Sequence, residues 1–165
     1  MKRFKLILVV LFVGTFLMTS CSSDSDGFWD GSETEVSIGE EVSIITEASF
    51  HNYKAKSEVA EIVCFNSKED LEKSDVYATL EKAPPVDWAR QTLVIAMYSA
   101  PHIVCYKDCK VMKKGSKYSV ELYYCDTPMN AFGKTGAFVV INKPGVSSSD
   151  VSIKCFSAGL GMSGQ

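Results

Sequence analysis

The chain has 165 residues, 46% of them hydrophobic, and sets 17 basic against 20 acidic residues for a formal net charge of −3 at pH 7. That length makes one domain with enough core to fold unaided. The mild acidity and the lack of a basic stripe argue against nucleic acid and against anionic lipid attraction. In chain order, Lys2, Arg3 and Lys5 give a positive start, and Leu6 to Met18 is an apolar run of 13 residues. The run suits a signal peptide and falls short of the roughly 20 residues that a spanning helix needs. Thr19 and Ser20 are small, as a signal-peptidase groove requires, and Cys21 presents a thiol that can take a diacylglyceryl thioether. Residues 1–20 read as a lipoprotein signal peptide, with Cys21 the lipidated first residue of the mature chain. An ordinary signal peptide cut near Ser20, and an uncleaved anchor, are the other readings of the same residues. Two or more acyl chains anchor lastingly where one binds reversibly, at about 0.8 kcal/mol per buried CH2.

Removing residues 1–20 leaves 145 residues. The signal holds three basic residues and no acidic ones, so the remainder has 14 basic against 20 acidic, a net −6. Residues 21–35 are rich in Ser, Asp, Gly and Glu and read as a flexible acidic tether. Its start, Ser22-Ser23-Asp24-Ser25-Asp26, resembles the export signal of Bacteroidota surface lipoproteins. Ser22 is also not the Asp that retains lipoproteins in the inner membrane of enterobacteria. The expected location is the outer membrane, on its periplasmic or its surface face.

Residues 36–157 carry the pattern of one β-rich domain. Val42, Ile44 and Ile45 belong to a first strand, and His51-Asn52-Tyr53-Lys54 reads as a turn. Ser57 to Phe65 is a second strand. Asn66 or Ser67 then caps a short helix over Lys68–Lys73, with Leu71 its buried residue. Ala83-Pro84-Pro85 breaks the chain, and Asp87 or a neighbour caps one irregular turn. Thr92 to Tyr98 is the most apolar β run, expected as a central strand covered on both faces. A hairpin follows, Ile103–Met112 and Lys117–Cys125. Tyr118, Val120, Leu122 and Tyr124 share one face of the second arm; Lys117, Ser119, Glu121 and Tyr123 share the other. Asp126 to Gly136 reads as a loop, Ala137–Ile141 and Val151–Phe156 as further strands, and 158–165 as a loose tail. The fold class is mainly β (α+β at most): an antiparallel sandwich or partly open barrel with one short helix near 67–74.

Five cysteines follow Cys21, and export to an oxidising compartment favours disulfides among them. Cys105 and Cys125 pair across the hairpin if the loop has three residues around Gly115 and Val111 faces Ser119. A two-residue Lys114-Gly115 turn slips the register and removes the pair. Cys64 and Cys155 are the other disulfide candidates. Five is odd, so one thiol stays unpaired or bonds to another molecule, and all five reduced in the core is the alternative. His102, Cys105 and Cys109 supply three nearby zinc-type ligands, but a straight strand separates the two sulfurs by about 13 Å, so no metal or cofactor is expected. There is no Cys-x-x-Cys at a helix start and no Gly-x-Ser-x-Gly elbow, and the chain reads as no enzyme. The tyrosines default to core packing. Trp88, Tyr106 and Tyr123 are the candidates for a partner surface, Tyr123 with Tyr106 as an exposed stripe for protein or for sugar rings.

From Glu61 onward the order of elements resembles the C-terminal domain of the protease-complex-stabilising lipoproteins (the PrcB-like family). The resemblance rests on Ile62-Val63-Cys64-Phe65-Asn66-Ser67 with Glu69-Asp70-Leu71, then Pro85-Val86-Asp87-Trp88 leading into Thr92–Tyr98. Lys117-Tyr118-Ser119-Val120 and Thr127-Pro128 complete it, over about 95 residues to Cys155. Where that family carries a Thr-Gly-Gly-Tyr-like element, this chain has Ser99-Ala100-Pro101-His102 and a segment to Lys114. The resemblance implies a small β-rich module that binds and supports another envelope protein, such as a protease complex, without catalysis of its own. A glycan-binding accessory module at the cell surface is the second expectation.

Overall fold

In the computed structural model, whose described residues are 32–51, 57–127 and 131–158, every residue of the run Thr92–Ala100 is buried. This strand, β4, follows β1 (Thr34–Val36), β2 (Val42–Glu47), β3 (Val59–Phe65) and the helix α1 (Lys68–Glu72). After it come β5 (Ile103–Lys114), β6 (Lys117–Thr127), β7 (Gly133–Ile141) and β8 (Val151–Ser157). The strands form two four-stranded sheets, in the orders β2-β7-β4-β3 and β1-β5-β6-β8. The chain is mainly β with a short helix, and of the two architectures expected it adopts the sandwich.

The alternation of β4 explains the layering. Val94, Ala96, Tyr98 and Ala100 face the second sheet, where they meet Val104, Val111, Val120, Leu122 and Tyr124. Leu93, Ile95 and Met97 face the opposite way. There they are covered by Leu71 of α1, by Leu80, and by the half-buried Ala83, Val86 and Trp88 of the proline-bearing segment. β7 divides likewise, with Ala137, Val139 and Ile141 inward and Phe138 and Val140 outward. Burying one such Leu, Ile or Phe contributes roughly 1.5–3 kcal/mol, so the two faces together hold the first sheet. α1 starts where expected: Ser67 Oγ accepts the Asp70 N–H at 3.1 Å. Asn66 has a different task. Its Oδ1 lies 2.6 Å from the hydroxyl of the buried Thr92 and accepts the Gly145 N–H at 2.9 Å. Thr92 Oγ1 in turn lies 2.8 Å from the Lys143 carbonyl and accepts the Val146 N–H at 3.2 Å. The network fixes the turn that carries the chain from β7 across to β8 in the other sheet.

Four expectations are corrected. β1 begins at Thr34 and pairs with β5 through Val36↔Val111, so the folded domain reaches into the stretch read as tether. β8 runs parallel to β6, the one pair among the described strands that is not antiparallel, because it enters from the other sheet rather than from a hairpin. β7 begins at Gly133, not Ala137, and Gly133 and Gly136 are why it can. A Cβ at Gly136 would collide with the Ala96 carbonyl oxygen and stand 3.1 Å from the Phe50 ring, and one at Gly133 would stand 2.6 Å from His102 O. The fourth concerns the hairpin. Its loop is two residues, Gly115-Ser116, with Lys114↔Lys117 closing it and Val111 opposite Val120. A bulge at Lys107 then shifts the ladder by one residue, and Cys105 faces Cys125 after all. Positions 52–54 of the expected turn and the tail beyond 158 lie outside the described residues.

The glycine contact gives a direct test. Gly136→Ala should destabilise the domain by about 1–3 kcal/mol in urea unfolding. Gly39→Ala, where a Cβ meets nothing within 4 Å, should stay within about 0.5 kcal/mol.

Candidate functional site

The segment between α1 and β4 folds over the outer side of the first sheet and leaves a groove. Ser74 to Thr79 makes a short 3-10 turn at Tyr77–Thr79. The chain then touches the segment after β2: Phe50 bridges Leu80, the His51 N–H donates to the Thr79 carbonyl at 2.9 Å, and the Glu81 N–H donates to the Ser49 carbonyl at 3.2 Å. Pro84 and Pro85 lack an N–H and hold the chain out of either ladder. Asp87 ends the excursion, its Oδ1 accepting the Ala89 N–H at 3.2 Å while the Gln91 side chain accepts the Asp87 N–H at 2.8 Å. Between this segment and α1 lies a cavity of about 540 Å³, with Leu71, Tyr77, Leu80, Pro84, Pro85 and Trp88 on its walls and Lys68, Glu72, Glu81 and Lys82 around it. On the other side of the same prolines a second cleft of about 460 Å³ is floored by Ile44, Thr46 and Phe138. Tyr77 is 42% exposed at the mouth. Residues 74–82 show no helical or strand period, which is why the groove was not foreseen. The one signal toward it in the sequence is Leu80, Ala83, Val86 and Trp88, apolar residues spaced along an otherwise polar, proline-broken stretch.

The three residues expected on one partner surface lie in three places. Trp88 is half-buried in the groove. Tyr106 packs against the interior between the sheets and pairs with Tyr124 in the ladder, so the expected exposed stripe with Tyr123 does not exist. The bulge at Lys107 separates them: it puts Tyr106 inward while Tyr123, opposite Asp108, stays outward. Tyr123 instead stacks on Phe156 of β8, its parallel register partner, with ring centroids 5.2 Å apart at 23°. Its phenol donates to Glu121 at 3.0 Å. Around this pair the outer face of the second sheet is charged, with Lys154 between Glu33 at 2.9 Å and Glu121 at 3.7 Å, and Lys110 on Glu35 at 3.0 Å.

All five cysteines of the domain are thiols. Cys109 faces the core, and burial, helped by the Asp108 charge, pushes its thiol up to about 12. Burial pushes Cys155 up to about 11. Cys64 is raised by burial too, against a hydrogen bond from Ser148 that lowers it. Cys105 and Cys125 point outward from the second sheet, Cys105 exposed and Cys125 half-buried. His102, Cys105 and Cys109 are therefore not gathered, since the two sulfurs leave opposite faces of β5. His102 Nε2 lies 3.0 Å from Asp126 Oδ1, and the Ser157 hydroxyl donates to Asp126 Oδ2 at 2.7 Å. In a nucleophile triad the imidazole stands between serine and carboxylate. Here the carboxylate stands between the other two, so His102 is not placed to take the Ser157 proton, and the three tie the ends of the second sheet together. Cys21 lies outside the described residues. No protein-family model, curated protein or solved structure matches this chain.

Tyr106 supplies a pH test of its inward placement. Its phenol is pushed from 10.0 up to about 12, first by burial and then by Cys109, Asp108 and Glu47. The fold favours the neutral phenol. Its contribution is intact below pH 10 and is lost as pH rises toward about 12. Tyr106→Phe should flatten that part of the pH–stability curve in urea unfolding; an unchanged slope would place the phenol in water.

Proposed function

We propose that this chain is a non-catalytic envelope lipoprotein, held at the outer membrane through Cys21, whose domain binds and stabilises another envelope protein. The observation that carries the reading is the groove of Leu71, Tyr77, Pro84, Pro85 and Trp88 with its rim of Lys68, Glu72, Glu81 and Lys82. Its occupant is an extended segment of a protein partner that inserts apolar side chains between Tyr77 and Trp88. Aromatic, apolar walls with a polar rim are the anatomy of protein interfaces. The volume lies within the ~300–1,000 Å³ of ordinary binding clefts. A rim carrying both signs of charge suits a peptide rather than a uniformly charged polymer. The narrower form of the proposal, a protease complex as the partner, is supported by the resemblance of Pro85-Val86-Asp87-Trp88 and the strand after it to the protease-complex-stabilising lipoproteins.

The Tyr123–Phe156 pair is the feature that the second reading, a glycan-binding module, would have to use. Each ring spends one face on the other, which leaves less flat surface for a sugar than two coplanar, separated rings would offer. The protein-binding reading is the stronger for that reason.

The two separate in one experiment on the full-length, lipidated protein in its native membrane. A photo-activated cross-linking residue placed at Tyr77 should capture one envelope protein, and the same residue at Lys154 should not. The captured protein's identity decides whether a protease is involved. Equal capture from both positions, or none from Tyr77, overturns the reading. Binding to oligosaccharide that is lost in Phe156→Ala would favour the glycan module instead.

A further inference from the structure

We propose that Cys105 and Cys125 form a cross-strand disulfide once the domain meets a disulfide oxidant, while Cys64, Cys109 and Cys155 remain thiols. The two cysteines are register partners in the β5–β6 ladder. Directly opposed residues of an antiparallel pair have Cα atoms about 4.5 or about 5.5 Å apart, according to their place in the hydrogen-bond pattern. Both separations lie inside the roughly 4.4–6.8 Å that a disulfide accepts. The side chains also leave the same face. Their neighbours Val104, Tyr106 and Tyr124 all point into the sandwich, so Cys105 and Cys125 both point out of it. Cys105 is exposed, and an oxidant can reach it.

The bulge at Lys107 makes the pair. Continued without it, the register set by Lys114↔Lys117 would put Cys105 opposite Asp126 and Cys125 opposite Tyr106, and each sulfur would lose its partner. The extra residue realigns them. It also reverses the parity of β5, which sends Cys109 into the core and away from Cys105. The Asp108 carboxylate accepts the Cys109 N–H at 2.8 Å just beyond the bulge.

The other thiols face the interior, away from this pair, and Cys109 and Cys155 flank Leu122 from either side, about 10 Å apart across β6. Cys64 meets Ser148 and senses Asp150, just before β8. Cys155 is five residues past Asp150, about 16 Å further along the chain at ~3.3 Å per residue, which carries it away from the end of β8 that Cys64 meets. The odd count of five thus resolves into one outward pair and three interior thiols.

The step balances as thiol–disulfide exchange. The Cys105 thiolate attacks the acceptor disulfide, forms a mixed disulfide and releases one thiol. Cys125 then attacks Cys105 Sγ, closes the S–S bond and releases the second thiol. The pair gives up two electrons and two protons, and the acceptor, a small-molecule disulfide or the active-site disulfide of an oxidised thiol oxidoreductase of the compartment, is reduced to two thiols. The proposal is independent of what the groove binds; the export reading supplies only the oxidant.

The test uses the full-length protein, reduced and then treated while folded with oxidised glutathione, alkylated and cut with trypsin. Cleavage after Arg90, Lys107, Lys110, Lys117 and Lys134 places Cys105 in peptide 91–107, Cys109 in 108–110 and Cys125 in 118–134. The expected product is 91–107 joined to 118–134, lost on reduction and absent from Cys105→Ser, with Cys64, Cys109 and Cys155 alkylated only after unfolding. Recovery of 91–107 and 118–134 as separate alkylated peptides, or their linkage to other cysteines, overturns the proposal. A second arm examines protein extracted from its native membrane without reductant. The bond forming in glutathione but missing there would count against the export reading and leave the pair standing.

Discussion

β4 is apolar on both sides, and the rest of the chain is arranged to cover it. Val94, Ala96, Tyr98 and Ala100 require a partner surface on one side; Leu93, Ile95 and Met97 require another on the opposite side. A second sheet meets the first need. The stretch from Ser67 to Gln91, with one five-residue helix and two prolines, meets the second. This division has a functional consequence. A sheet is a complete cover, because its backbone groups pair within the ladder. A short helix, a 3-10 turn and a proline segment cover incompletely, and the groove of Tyr77 and Trp88 is the space they leave.

The second sheet answers a different problem. Its inner face must match β4 and β7, yet β5 runs for 12 residues beside β6 from a two-residue turn. The bulge at Lys107 absorbs the mismatch. It lets Val104 and Tyr106 reach the core at one end while Cys109 and Val111 reach it at the other. One extra residue thus sets the parity of the strand, buries Cys109, turns Tyr106 inward and brings Cys105 opposite Cys125. Tyr98 and Tyr124, stacked with centroids 4.2 Å apart between the sheets, mark the interior of that end.

Much of this was legible in the residues. The length and uniform apolarity of Thr92–Tyr98 mark a two-sided strand, Ser67 marks the start of α1, and the alternation of Tyr118 to Tyr124 assigns both faces of β6. What was not legible has physical reasons. The Gly115-Ser116 turn sets Val120 opposite Val111, and Gly115 admits more than one turn length; the bulge beyond it leaves no mark in composition, so the inward Tyr106 does not follow from the sequence of β5 alone. Glycine is read as loop, and Gly133 and Gly136 instead allow β7 to lie close against Ala96 and Val104. The parallel setting of β8 depends on the Asn66–Thr92 network, whose members are 26 residues apart. The Tyr123–Phe156 contact follows from that setting and was missed with it. The groove has no period to detect, because proline and turn segments carry none.

Hydrogen exchange on the full-length protein tests most directly whether the two-sided burial of β4 is the organising constraint. The central amides of β4 and β7 should be the last to exchange, at the free energy of global unfolding, and the amides of residues 67–91 should open earlier as a separate layer. Slowest exchange in the β5–β6 hairpin, or residues 67–91 exchanging together with β4, would contradict that constraint.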